Sequence, residues 1–383
     1  MSPPLHEPTV VQDGVLRPTH LRVSLGALSR NLARIQQHVG TGVKVMPILK
    51  ANAYGHGLVA VAQRLADQAA MFGVAYLEEA LLLRQAGVQT PILVLGGIVG
   101  RQVPVFLEHG LTLTASSVDK LEAIERAAAM MGVRAQVHLK IDTGMERIGV
   151  HWYSARALLE ASLVCRHVEV TGIYSHFANS DAADLGHARE QLARFDEVLG
   201  FYAERGLPTP LRHMANSGAI LQLPEAWLDL VRPGILLYGV APDPAVKMSI
   251  PVELALEWRS KVVYFKVVEP GSPVSYGSTW APKTQTRVVT VPVGYGDGYF
   301  RALSGKAEVL IRGKRYPVVG RVCMDQLMVD IGWDSAWNGD PVTVLGNQGE
   351  ACITPWELAE HAGTIAYEVL TNINTRVPRV VVE

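Results

Sequence analysis

An excess of charge of either sign, closely spaced cysteines and long apolar runs are all missing from this 383-residue chain. Lysine and arginine number 35 against 36 aspartates and glutamates, for a formal net charge of −1, and no basic run breaks the balance. That removes the electrostatic footprint of a nucleic-acid binder. The only cysteines, Cys165, Cys323 and Cys352, are far apart and odd in number. They argue against a disulfide or zinc framework and for reduced thiols in a cytoplasmic protein. No stretch of about 18 apolar residues offers a membrane span. The opening "MSPPLHEPTVVQDGVLRPTH" has neither the charged nor the apolar region of a secretory leader. HExxH, CxxC and Walker A patterns are absent as well.

What remains is a well-ordered alternation. Hydrophobic residues make up 49% and charged residues 19%, which suits a large core and excludes disorder. From residue 43 the apolar runs are "VKVMPILK", "MFGVA", "PILVLG", "LTLTAS", "AQVHLKID", "VTGIYSH", "LRHMA" and "LDLVR". Segments of helical period such as "SVDKLEAIERAAAMMG" separate them, and Met130 and Met131 in that segment read as core. Eight strands alternating with helices predict a parallel (β/α)8 barrel. A doubly wound open sheet fits the same pattern, because pattern alone does not show closure. Beyond residue 245 the texture turns β-rich, with one helix, "TPWELAEHAG", started by Thr354 and Pro355. The chain therefore divides into a barrel over residues 24–245 and a mainly antiparallel β domain over 246–383. The early strand "LRVSLGAL" has no place among the eight, so segment 1–23 is assigned to the β domain.

The stretch "VKVMPILKANAYGHG" places Lys50 at the end of an apolar strand. Lysine is rarely buried without compensation, so Lys50 either snorkels to the surface or serves chemistry. Barrel sites lie at the C-terminal ends of the strands. There the chain carries Lys50, Lys140, Asp142, Arg147, His176, Asn179, Asp181, Asn216, Ser217 and Arg232. Each has an ordinary structural reading alone; their convergence on one rim does not. "NSGAI" and "RPGIL" follow strands seven and eight, the usual phosphate site of such barrels, where Ser217 and amides freed by Gly218 and Gly234 suit an anion. A phosphate and an amine-reactive group beside a lysine together describe pyridoxal phosphate, whose aldehyde forms an imine with lysine and whose ring is an electron sink.

With these residues in place, the chain resembles the alanine racemase family of fold type III pyridoxal-phosphate enzymes over nearly its whole length. "LKANAYGHG", "KIDTGMERIG", "RPGILLYG", "VSYGSTW", "VPVGYGDGY" and "GRVCMDQLMVD" carry the resemblance, in order and across both domains. The resemblance implies that Lys50 holds the cofactor and is one of two catalytic bases, with Tyr276 the other. Tyr54, Asn216, Ser217, Gly234, Ile235 and Tyr367 would hold the cofactor's phosphate end, Arg232 would meet the pyridine nitrogen, and His176 would bond Arg232. Arg147 with the backbone at Met324, beside Asp325, would bind the substrate carboxylate, and Lys140, often carbamylated in the family, would steer that arginine. Tyr295, Asp181, Arg301 and Arg321 would line the channel that admits substrate. Two residues depart from the family's pattern: Glu146 stands where a small or neutral residue is expected, and Trp280 where tyrosine is frequent.

The implied function is interconversion of L-alanine and D-alanine, supplying D-alanine for peptidoglycan, in a homodimer with shared sites. Two bases on opposite faces of Cα need not swing across its plane. An arginine at the pyridine nitrogen stays charged and weakens the ring as an electron sink, which favours return of the proton to Cα. Serine differs from alanine by one hydroxyl, which apolar pockets reject weakly, so a broader racemase is an alternative. A fold type III decarboxylase, with Cys323 as a suggestive residue, and a non-enzymatic pyridoxal-phosphate carrier are the others. "GYGDGY" opens no helix and reads as a turn with Tyr295 at its tip, not as a dinucleotide fingerprint.

Overall fold

The computed structural model describes residues 15–383, so the first fourteen residues of the N-terminal segment assigned to the β domain lie outside the described residues. Among those described, Leu28–Ala53 and Val61–Glu253 form one compact unit, and the residues up to Ala27, Tyr54–Ala60 and Leu254–Glu383 form a second.

The first unit is a closed barrel. Its strands are Lys44–Val45, Phe72–Val74, Ile92–Val94, Leu113–Ala115, Ala135–Asp142, Val168–Tyr174, Leu211–His213 and Leu230–Val231. Parallel ladders join the second to the third and run unbroken from the fourth to the seventh, while Leu230–Val231 pairs in parallel with Lys44–Val45. Single bridges, Ile48 to Gly73 and Leu93 to Thr112, complete two of the remaining links. The last is carried by the Arg232 amide on the Ala215 carbonyl at 2.9 Å. Closure removes the open-sheet alternative. The strands are shorter than the apolar runs because the runs include breakers. In "VKVMPILK" the ladder stops at Val45, ahead of Pro47, which has no N–H to give. Both faces of these strands are buried, as parallel sheets require; Val137, Leu139, Ile141 and Ile173 have no exposed surface.

Helix Val118–Met131 corrects one expectation. Ser117 caps it and Gly132 ends it at φ 67°, but its buried residues are Leu121, Ile124 and Ala128. Met130, two residues past that stripe, turns to solvent and is 88% exposed, so it is not core.

The second unit is a mainly antiparallel sheet. Leu256–Lys261 pairs with both His20–Ser24 and Pro341–Gln348, and the order continues through Glu308–Ile311, Lys314–Val319, Leu327–Asp330, Thr286–Val291 and Tyr264–Val268. Arg312 and Gly313, at φ 52° and 76°, make the tight turn between Ile311 and Lys314, where both residues need positive φ. Of "LRVSLGAL", only the first part is strand. Ser24 ends it and its Oγ accepts the Ala27 amide at 3.0 Å, starting helix Leu25–Val39. Thr354 likewise caps Pro355–Ala362, with Gly363 left-handed behind it.

Arg379 ties this unit together without any carboxylate. It is 1% exposed, and its guanidinium donates to the carbonyls of Asn374 and Val377 at 2.7 Å, Ile373 at 2.8 Å and Gly55 at 3.1 Å. Replacing Arg379 with methionine keeps the bulk and strips four carbonyls of a donor. Urea unfolding of the variant should show a loss of about 3 kcal/mol or more at an unchanged m-value.

Candidate active site

Lys50 follows the first barrel strand and opens an unusual turn. Ala51, Asn52, Ala53 and Tyr54 all have positive φ, between 51° and 55°, which makes one left-handed helical turn of L-residues. Each such residue costs about 1–2 kcal/mol. One carboxylate, Glu79, props the turn: Oε1 accepts the Ala51 amide at 2.6 Å and Oε2 accepts those of Ala75 at 2.8 Å and Tyr76 at 3.3 Å. Lys50 itself is half-buried. Burial, reinforced by the charge of Arg147, holds its pKa below the usual lysine value; Glu79 opposes this and Arg232 adds to it. The amine is thereby biased toward its neutral, nucleophilic form.

Arg232, just past the eighth strand, is 3% exposed and held by four acceptors. Nη1 donates to His213 Nδ1 at 2.8 Å, and Nη2 reaches the Ser175 carbonyl at 2.8 Å, the Met214 carbonyl at 3.0 Å and His176 Nδ1 at 3.1 Å. Nε donates to no described residue. Because a guanidinium only donates, it fixes both imidazoles as neutral acceptors at Nδ1. His213 must then carry its proton on Nε2, which donates to His138 Nδ1 at 2.9 Å. Tyr174 stacks on His213 with ring centroids 4.7 Å apart, and its hydroxyl pairs with Thr114 Oγ1 at 2.9 Å. Burial pushes Arg232 down to about 10, His138 to about 3 and Tyr174 up to about 12. His213 and His176 are held well below the usual histidine range by burial and then by Arg232. At His176 the charges of Lys140, Arg147 and Lys50 add to that effect, so these four residues and Arg232 lie close together.

Lys140 is buried with Nζ 4.5 Å from the Tyr174 ring centroid, and burial followed by Arg232 holds its pKa well below the usual value. Two residues on, Asp142 organises the "TGMER" loop. Oδ1 accepts the amides of Gly144, Met145 and Glu146 at 2.8, 2.9 and 3.2 Å, and Oδ2 that of Arg147 at 3.2 Å. Glu146 lies in this loop at φ 53°, and its carboxylate turns to His151 Nε2 at 2.8 Å instead of to Arg147. The departure at Glu146 is thus answered by a neighbour.

After the seventh strand Asn216 caps helix Ser217–Gln222, its Oδ1 accepting the Ala219 amide at 3.1 Å and the Ser180 hydroxyl at 2.6 Å. Gly218 sits so close to Ser180 that an added Cβ would lie 2.7 Å from its carbonyl oxygen. Ser217 Oγ accepts the amides of Gly234 at 3.0 Å and Leu236 at 3.3 Å, which joins the two glycine loops and leaves its own proton to donate. The Ile235 amide donates to no described residue.

Asn179 and Asp181 belong to the first unit, and the second holds Tyr54, Tyr276, Tyr295, Met324, Asp325 and Tyr367. Tyr54 and Tyr367 lie with ring centroids 6.2 Å apart. Tyr276, 71% exposed, stands in a turn where Ser275, Gly277 and Ser278 all have positive φ. Ser275 Oγ donates to the Arg321 carbonyl at 2.6 Å and sits 3.5 Å from Cys323 Sγ, so the Tyr276 turn is docked on the loop that carries Met324 and Asp325. Tyr295 joins the same loop through its amide on the Cys323 carbonyl at 3.0 Å. Trp280 bridges Val274 across the base of the Tyr276 turn, and Arg301 begins an exposed helical turn. Sequence reasoning missed Glu79, His138, Tyr174 and His213. Only His213 carried a signal, as a second histidine at a barrel strand end beside "NSG".

The described residues include no group of His, Cys, Asp and Glu that could hold a metal, and no helix long and apolar enough to cross a membrane. Residues 23–242 match the family described as alanine racemase, N-terminal domain, and residues 255–381 match alanine racemase, C-terminal domain. The chain is 43% identical over 370 residues to the alanine racemase of Carboxydothermus hydrogenoformans, covering 96% of this chain and 100% of that one. It is 41% identical over 368 residues to alanine racemase 2 of Caldanaerobacter subterraneus, covering 95% of each. Among solved structures, the alanine racemase of Clostridium difficile superposes with a TM-score of 0.90 at 34% identity, covering 97% of both chains. That of Bacillus anthracis with bound L-Ala-P gives 0.90 at 36% identity, over 97% of this chain and 96% of that one.

The buried histidines set a pH dependence. Their native pKa values lie below the unfolded value, so the unfolded chain binds more protons as pH falls through about 6.5 and stability falls with it. Each contributes a slope of about 1.4 kcal/mol per pH unit until its native pKa is reached. Urea unfolding between pH 7 and 5 should show this decline, and His138→Gln should reduce the limiting slope by one proton's worth.

Proposed function

Since the chain belongs to the alanine racemase family, we propose that Lys50 and Tyr276 are its two proton-transferring bases, in a pyridoxal-phosphate site that two copies of the chain complete. The activity is the pyridoxal-phosphate-dependent interconversion of L-alanine and D-alanine. One observation carries the assignment of residues. A lysine biased toward its neutral form shares the barrel rim with a buried arginine whose Nε is left without a described acceptor.

Bound pyridoxal phosphate supplies an aldehyde for Lys50 and a ring that accepts electron density from Cα. The residues present fit it. The Ser217 hydroxyl and the Ile235 amide have donors to give an anion, and Gly218 and Gly234 let backbone approach closely. Asn216 holds the helix that presents Ser217, and Tyr54 and Tyr367 would complete the phosphate contacts. Arg232, whose Nε donates to no described residue, would meet the pyridine nitrogen. Pinned by His213 and His176, Arg232 stays a cation and gives up no proton there.

Substrate is oriented by its carboxylate, held between Arg147 and the Met324 amide beside Asp325. Asp142 fixes the backbone of Arg147, and Lys140 would steer its guanidinium. The Lys50 amine then moves the Cα proton on one face while the Tyr276 hydroxyl serves the other, so neither group crosses the plane. Tyr295, Asp181, Arg301 and Arg321 line the approach. In this reading residues 24–245 bind the cofactor, and residues 246–383 with 1–23 bring the second base to a partner's barrel. The protein works in the cytoplasm, where its three cysteines stay reduced, and supplies D-alanine to peptidoglycan.

Borohydride reduction of the holoenzyme should leave a pyridoxyl mass on the peptide carrying Lys50, and Lys50→Ala should abolish racemisation. A pyridoxyl group on another lysine overturns the assignment. The shared site is tested by refolding Lys50→Ala and Tyr276→Phe together with cofactor. Random pairing makes half the dimers mixed, each with one intact site, so about a quarter of wild-type activity should return. If Tyr276 serves its own chain, every site lacks a base and mixing restores nothing.

A further inference from the structure

Among the described residues, Asp297 has no exposed surface, lies in "GYGDGY", and plays no part in the function proposed above. Its Oδ1 accepts Arg17 Nη2 at 2.6 Å and Arg376 Nε at 2.7 Å, and its Oδ2 accepts the Gly294 amide at 3.1 Å. Arg376 continues outward: Nη2 donates to Asp325 Oδ1 at 2.8 Å and to the Met324 carbonyl at 3.3 Å. The same Met324 carbonyl accepts the Gly296 amide at 2.8 Å, and the Cys323 carbonyl accepts the Tyr295 amide at 3.0 Å.

These bonds fix two successive peptide planes. In a trans peptide the N–H points opposite to the C=O. Tying the Cys323 carbonyl to the Tyr295 amide therefore directs the Met324 N–H away from "GYGDGY", and that N–H donates to no described residue. The alternating glycines permit the approach. A Cβ on Gly294 would lie 2.3 Å from both the Cys323 and Met324 carbonyl oxygens, and one on Gly296 would lie 2.6 Å from Arg376 Nη2.

We propose that Arg376 and Asp297 are positioning residues that set the orientation of the Met324 N–H, and so the affinity of the site for a substrate carboxylate. The proposal rests on the reading that Arg147 and the Met324 amide hold that carboxylate. It separates binding from chemistry, because the side-chain hydrogen bonds of both residues go to Arg17, Gly294, Met324, Asp325 and each other, not to Lys50 or Tyr276.

The test uses the holoenzyme of Arg376→Ala and Arg376→Lys, with propionate as a probe that has the carboxylate and no amine. Loss of one charge-assisted hydrogen bond should raise KM for both alanine enantiomers and Ki for propionate in parallel, about tenfold in Arg376→Ala. Arg376→Lys, which keeps one donor, should recover part of the loss, and kcat should change less than about twofold. The lysine variant alone suffices where the alanine variant does not fold. A fall in kcat or thermal midpoint with propionate Ki unchanged makes the pair merely structural and overturns the proposal. Arg147→Gln is the control. If it raises propionate Ki and the Arg376 variants do not, only the clamp fails. If it leaves Ki unchanged, the carboxylate reading fails and the clamp's role falls with it.

Discussion

A guanidinium enclosed among barrel strands keeps its charge only if its donors find acceptors, and Arg232 finds them in two carbonyls and two imidazoles. The rest of the rim is arranged around that requirement. Burial first, and then the charge of Arg232, keep His213, His176 and His138 neutral and lower the pKa of Lys140; at Lys50 burial and Arg147 lead and Arg232 adds to them. It also settles the tautomers, since each histidine facing a donor must carry its proton on the far nitrogen. Burial and the surrounding positive charges thus bias the amines toward their neutral form, and the Arg232 donors fix which imidazole nitrogens act as acceptors.

Arg232, Asp142 and Asp297 solve a common problem by different means. Each is a charge at a chain reversal, and each uses backbone groups as partners. Asp142 gathers four successive amides of the loop that carries Arg147. Asp297 collects one amide and two guanidinium groups. Short polar loops have little apolar surface to bury, so a buried charge with many donors is an effective way to hold their shape. The cost is that removing one partner strands the others.

The sequence made some of this legible and hid the rest for physical reasons. Lys50 stood out because a charge ends an apolar run, and Ser217, Arg232 and Gly234 because glycine-flanked loops follow strands seven and eight. Closure of the barrel was not legible, since it depends on Leu230–Val231 finding Lys44–Val45, a pairing between distant segments with no local signature. His138 lies inside an apolar strand and reads as core; only its register opposite Gly172, where an added Cβ would come within 2.6 Å of the ring, reveals room made for it. Met130 was misread because helical period gives the spacing of a stripe but not its phase. In "GYGDGY" the turn was readable, while the reason for its glycines lies in the Cys323 and Met324 carbonyls far along the chain.

The left-handed turn after Lys50 has a kinetic side. Four consecutive L-residues at φ near 50° gain almost nothing locally, so the unfolded chain has no tendency to form this turn in advance. It is held by Glu79 from a later part of the barrel and by the Gly73 carbonyl on the neighbouring strand, which accepts the Leu49 amide at 2.8 Å. Both partners must be in place before the turn is worth making. Lys50 therefore acquires its address late in folding, after the first strands have docked, and a chain still searching for its fold presents the cofactor with a lysine like any other.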